Sequence, residues 1–245
     1  MQKAKGFIRE GCGPKNKYLY VMVSRTPTKT GYIIRKIGHV KYNHTSVALD
    51  EALSEMYGFS RRQHNTLLIA GLMHETLERF TLRKYSNIDV IVFRIPVSDR
   101  QYDDIKRRIY EIERDSEYLY NYISVLTYPF MHGLETYKAF TCAEFVMFLL
   151  KSIGFVPDKR LCSYTPDDML SVLSGFIYFK GNLLDYSMLH SRYVMENGKS
   201  GIEYVQADVR YEYFAPIKIC LIKESFVCAC RIVARTLCSR LRRRK

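Results

Sequence analysis

Residues 140 to 155 constrain the fold of this chain more than any other stretch. They read Phe140-Thr141-Cys142-Ala143-Glu144-Phe145-Val146-Met147-Phe148-Leu149-Leu150-Lys151-Ser152-Ile153-Gly154-Phe155, and both ends of a helix are written in those letters. Thr141 is a favoured N-cap, because its hydroxyl accepts an amide proton that the first turn leaves unpaired. Glu144 follows three residues later and completes a Thr-x-x-Glu capping box. Gly154 suits the left-handed position past a helix C-terminus, and Lys151 suits the negative end of the helix dipole. Cys142, Val146, Leu149 and Ile153 share one face, so the cysteine looks inward from the first turn. A thiol there sits among free backbone N–H groups, which lower its pKa and offer donors to an oxyanion. Taken alone, a lone helical cysteine is more often a packing residue, since free cysteine is among the most buried residue types.

The totals narrow the class. A chain of 245 residues that is 47% hydrophobic and 26% charged has enough material for a real core in one large domain. A net charge of +13 points to something anionic: nucleic acid, a membrane surface or an acidic polymer. There is no RNP-type motif and no zinc-finger spacing, which disfavours nucleic acid. Seven cysteines fall at 12, 142, 162, 220, 228, 230 and 238, an odd number with no C-x-x-C pair. That pattern supports neither a disulfide framework nor a zinc site, and reduced thiols in a cytoplasmic setting are expected. The first residues lack the apolar core of a signal peptide, and no apolar run reaches membrane-spanning length. No His/Asp/Glu cluster has metal-ligand spacing, so no metal and no other cofactor is expected.

Along the chain, residues 1–16 form a polar lead-in. Lys17 to Ser24 reads as a strand, Arg25 to Gly31 as a loop and Tyr32 to Ile37 as a short apolar element. Tyr42 to Asp50 alternates, with His44, Ser46 and Ala48 on one face. Asp50-Glu51-Ala52 makes a turn, and Leu53 to Phe59 returns as a partner strand with Leu53, Glu55 and Tyr57 on one face. His74 with Glu75 reads as a solvated helical pair. Ile88 to Ile95 is the strongest strand, and Pro96 ends it. Ser98 with Gln101 starts a charged helix reaching about Asn121. Residues 122–134 carry Pro129 and Gly133 and read as a link to the cysteine helix. Thr165, Pro166 and Asp168 mark another helix start, with Asp167 and Asp168 structural. Phe176 to Lys180 and Tyr211 to Ile219 are candidate strands. Residues 221–245 read as an amphipathic helix with a basic end.

Cysteine hydrolases need a thiolate, an imidazole that holds its proton and a third polar group that orients the imidazole. The chain offers Cys142 at a helix start, His44 on a strand and Glu55 on the next strand, with Asp50 as the second choice for the third role. As spacing alone this is a weak signal among so many histidines and cysteines. The segments Tyr42–Asp50, Leu53–Phe59 and Phe140–Val146 together resemble the circularly permuted papain-like superfamily. More narrowly, they are similar to its permuted NlpC-type proteins, relatives of lecithin:retinol acyltransferase, in which the histidine strands precede the cysteine helix. Tyr164 to Leu170 also resembles a segment that often follows that helix. The likeness covers residues 17 to 190 and leaves out the basic C-terminal helix.

This resemblance implies an α+β permuted papain-like fold, an antiparallel sheet packed on the cysteine-bearing helix. It also implies Cys142 as nucleophile and His44 as general base. Many relatives carry a second histidine at the third position, where this chain offers Glu55 or Asp50 instead. The expected division is a lead-in at 1–16, a hydrolase domain at 17–220 and a basic helix at 221–245. The expected chemistry is acyl transfer from an amide or ester to water or another acceptor, on a peptide, amide or lipid-ester substrate. Residues 221–245 read first as a core-packing helix with a solvated basic end, and second as a contact with an anionic membrane surface. Two other classes stay open: a catalytically silent binding module of the same fold, and a basic membrane-associated interaction protein.

Overall fold

The structure, a computed structural model, describes residues 17–62, 70–76, 80, 88–196, 230, 233 and 234. The lead-in, the strand expected at Tyr211 to Ile219 and most of 221–245 lie outside the described residues. Cys230, Val233 and Ala234 are helical and exposed. Among the described residues no helix is long and apolar enough to cross a membrane.

The chain is α+β. Strands β1 (Lys17–Arg25), β2 (His44–Ala48), β3 (Met56–Arg61), β4 (Ala70–Glu75), β5 (Asp89–Val97) and β8 (Ile177–Asn182) form one sheet in the order β4-β3-β2-β1-β5-β8. All its neighbours pair antiparallel. A parallel two-stranded pair, β6 (Leu119–Tyr120) and β7 (Ala139–Phe140), stands beside it. The α-helices that lie wholly within the described residues are α1 (Lys29–Gly38), α2 (Asp99–Arg114), α3 (Tyr122–Met131), α4 (Cys142–Ser152), α5 (Asp168–Val172) and α6 (Leu183–Glu196).

Directly paired residues of an antiparallel ladder point to the same face, so register sorts the side chains into two layers. One face carries Leu19, Val21 and Val23 of β1 with Val47, Phe59, Ile91, Phe93 and Ile95. It packs on α2 through Ile105, Ile109 and Ile112 and on α4 through Phe145, Val146, Leu149 and Leu150. The other face carries Tyr20, Met22, Ala48, Met56, Val90 and Val92, closed by Leu183 and Tyr186 of α6. β1 and β5 lie at the sheet centre with both faces buried, which is why they read as continuous apolar runs.

Several local readings meet this frame. Thr141 caps α4 and Glu144 completes the box in both directions, while Gly154 takes φ 105° past the helix. Ser98 and Gln101 cap α2 in the same reciprocal way. That helix stops at Arg114 rather than near Asn121, because the Asp115 carboxylate accepts the Glu117 N–H and turns the chain. Residues 122–134 are not merely a link. Asn121 accepts the Ser124 N–H, and α3 runs through Pro129, which sits near the helix end. Pro96 stays within β5 opposite Tyr18 rather than ending it. His74 and Glu75 lie on strand β4, not on a helix.

Candidate active site

The site begins at the first residue of β2. Asn43, just before it, is held by Thr26: its Nδ2 donates to Thr26 Oγ1 at 2.6 Å and its Oδ1 accepts the Thr26 N–H at 3.0 Å. The Asp167 carboxylate accepts the N–H groups of Lys41 and Tyr42 at 2.7 and 2.8 Å. The backbone entering β2 is therefore fixed by a residue more than a hundred positions downstream, and the His44 side chain starts from a rigid base.

His44 Nε2 lies 3.0 and 2.9 Å from the two carboxylate oxygens of Glu75. Ser46 Oγ donates to the same carboxylate and stands 3.1 Å from Nε2. The histidine side chain is 12% exposed and that of Glu75 only 1%. Glu75 reaches the imidazole across an intervening strand. Met56 pairs with Glu75 and Gly58 with Met73, so the carboxylate crosses β3 beside Gly58. A β-carbon at Gly58 would lie 2.6 Å from Glu75 Oε2 and 3.1 Å from Ser46 Oγ. The glycine leaves room for the bridge, as an isolated glycine inside a strand often does.

Cys142 lies close enough to His44 for its side chain to raise the imidazole. With Nε2 committed to Glu75, Nδ1 is the ring nitrogen left to exchange a proton with sulfur. Burial works against the charged imidazole. The Glu75 carboxylate and the Cys142 contact outweigh it and raise His44 to about 10. Burial likewise opposes the Glu75 charge, but the facing imidazole wins and holds that carboxyl below the usual range. The two therefore stand as a buried, hydrogen-bonded ion pair, the arrangement in which a buried charge is tolerated.

Around the sulfur, the first turn of α4 divides its amides. Glu144 N–H goes to Thr141 Oγ1 and Phe145 N–H to Thr141 O, so the cap leaves the N–H groups of Cys142 and Ala143 unused. Glu144, itself buried, accepts from Asn121 Nδ2 and the Thr141 N–H, yet burial pushes its carboxyl up to about 7. Tyr120 is kept protonated well beyond the usual range by burial and by the neighbouring Cys142. Cys142 and Tyr120 both open into a cleft lined mainly by apolar side chains, among them Ile37, Val40, Val125 and Tyr164.

Glu55 does not join this site. Leu49 N–H bonds to Glu55 O and Val47 pairs with Tyr57, which puts Glu55 on the Val47 face at the far end of β2 from His44. Its carboxylate meets Lys106 at 3.4 Å and the Tyr57 hydroxyl at 3.5 Å. Asp50 is also elsewhere: it accepts the N–H groups of Ser54 and Glu55 and holds the β2–β3 turn closed. The carboxylate that does meet His44 is that of Glu75, which sequence reasoning set aside. Two signals pointed to it: strand periodicity through Ala70–Glu75 puts Glu75 on the Met73 face, and Gly58 interrupts a strand of larger residues. Asp168 caps its own turn through Thr165, as expected. Among the described residues no group of His, Cys, Asp and Glu could hold a metal ion.

Comparisons with protein-family models, with curated proteins and with solved structures return no match to this chain.

Proposed function

We propose that this protein is a cysteine hydrolase or acyltransferase of permuted papain-like fold, with Cys142 as nucleophile, His44 as its acid–base partner and Glu75 as the residue that orients His44. The observation that carries the reading is the convergence of three elements. The start of α4 brings sulfur to an imidazole on β2 whose far nitrogen is clamped by a carboxylate from β4. The order of the histidine strand and the cysteine helix supports the permuted form of the fold.

The chemistry is as follows. His44, held by Glu75, takes the proton of the Cys142 thiol and frees sulfur as the nucleophile. Sulfur attacks the carbonyl carbon of an ester or amide. A C–S bond forms and the π pair moves to oxygen, where the Cys142 and Ala143 N–H groups and the Tyr120 hydroxyl can donate to it. Collapse breaks the bond to the leaving oxygen or nitrogen, which takes the proton from His44. The neutral imidazole then removes a proton from water or an acceptor hydroxyl, whose oxygen attacks the thioester. The C–S bond breaks, and the thiolate–imidazolium pair is restored.

The test is labelling of the intact protein with a thiol-reactive acyl probe. Wild type labels at Cys142 in preference to the other thiols, Cys142→Ala loses that label, and His44→Ala slows it by about 10²-fold or more. Equal labelling of all cysteines would mark the chain as a silent binding module of the same architecture.

A further inference from the structure

The cleft at Cys142 is flanked by α1 and α3, and each helix carries apolar residues beyond those that line it. Ile37 of α1 and Val125 of α3 face the cleft. Outside it, α1 exposes Tyr32 and Ile33 at 60% and 54%, and α3 exposes Leu126, Phe130 and Met131 at 68%, 87% and 50%. Ile33 stands one turn before Ile37, and Leu126 one turn before Phe130, so each exposed stripe borders the stripe that lines the cleft. Single exposed apolar residues are ordinary on a soluble protein. Two helices carrying them around one mouth form a patch that asks for a partner.

Charge indicates which partner. α1 contains no carboxylate, and Lys36 on it and Lys41 just beyond it are exposed. α3 has no charged residue, and exposed Arg160 donates to the carbonyls of Met131 and Gly133 at its end. Asp167, at this end of α1, is turned onto backbone amides, which leaves two exposed carboxylates near the mouth, Glu135 on the loop after α3 and Asp158, which accepts the hydroxyl proton of cleft-lining Tyr164. Apolar tips on two helices without carboxylates, with Lys36 and Lys41 beside them, match an anionic lipid surface, where headgroups take the charges and the apolar side chains enter the acyl boundary.

We propose that α1 and α3 form a membrane-docking rim that seats the mouth of the cleft on an anionic bilayer. The acyl chain of a membrane lipid then enters the apolar cleft toward Cys142, a consequence that rests on the thiol chemistry proposed above. The experiment is flotation of the full-length protein with phosphatidylcholine vesicles, with and without phosphatidylserine, at low and high salt. Wild type floats with the phosphatidylserine vesicles and loses part of that binding as salt screens the charges. Leu126→Ser/Phe130→Ser binds about tenfold or more weakly, and Lys36→Glu/Lys41→Glu about fivefold or more weakly. All four positions are exposed, and an unchanged melting temperature checks that the variants fold. Wild-type flotation by Leu126→Ser/Phe130→Ser overturns the proposal and assigns the contact to cations elsewhere, such as residues 221–245. Failure of the wild type to bind either vesicle overturns it as well. Cys142→Ala floats as wild type does whatever the labelling experiment shows, so the docking rim and the thiol chemistry fail independently.

Discussion

At the scale of single residues, the site depends on a side chain that is not there. Glu75 passes over Gly58 because no β-carbon fills the path, and the 2.6 Å approach leaves no slack for one. Gly58→Ala should therefore push the carboxylate off His44 and slow acyl labelling of Cys142 by about tenfold or more, with the protein still folded by circular dichroism. The titratable groups give a second expectation. Glu144 is raised to about 7 by burial, so its protonated form favours the fold. The native state binds the extra proton between the unfolded carboxylate value of about 4.3 and 7, and stability falls as pH rises through that window. His44 is raised to about 10, so its contribution is whole below about 6.5 and is lost as pH climbs toward 10. Glu144→Gln keeps an oxygen for the cap but removes the lower decline, and thermal melts from pH 4 to 10 should show only the upper one. A Glu144→Gln curve that overlays the wild type would show that the carboxyl is not held neutral.

At the scale of elements, α4 must serve packing and chemistry at once. Its cap aims the first turn at His44, while Phe145, Val146 and Leu149 anchor the following turns in the core. Phe145 is fully buried and packs at a tilt against Phe59 and Phe140 at ring separations of 5.1 and 6.3 Å. Phe145→Ala should cost about 3–5 kcal/mol in chemical denaturation, because the surrounding rings cannot close the void. Thr141→Ala removes the acceptor for the Glu144 N–H and should cost about 1 kcal/mol. Because the lost cap also frees the turn that carries the thiol, acyl labelling should slow more than that small loss of stability implies. The local grammar of this helix was legible in the letters, since caps act over three or four residues. The hairpin was legible too, but not its register. Tertiary pairing set Leu49 opposite Glu55 and so turned that carboxylate away from His44, a matter of one residue in a period of two.

At the scale of the whole molecule, the sheet separates two cores and the site draws on both. Cys142 opens the helix packed on one face, while His44, Ser46 and Glu75 stand on the opposite face, which α6 closes. Tyr186 of α6 is fully buried, and its hydroxyl donates to Glu51 O at 2.6 Å. Tyr186→Ala should lower the melting temperature by about 10 °C, through a loss of about 3–5 kcal/mol. Below the melt, Cys142 should label more slowly in this variant, since His44 and Glu75 stand on the sheet face that Tyr186 helps to close. Labelling at the wild-type rate would show that the ion pair is held without α6.

The letters alone determined what short-range physics controls: the capped cysteine helix, the central strands, an α+β chain with His44 and Cys142 on separate elements. They also placed Thr165 and Asp168 in their own turn. Only the tertiary structure decided which carboxylate serves the histidine. That choice depends on the pairing of β3 with β4 and on an empty position at Gly58, neither of which has a local signature around His44. The same holds for Asp167, whose anchoring of the backbone before β2 spans a separation that no periodicity reports. Caps and alternation act between near neighbours in the chain. A buried ion pair is assembled by register and by the space left between strands.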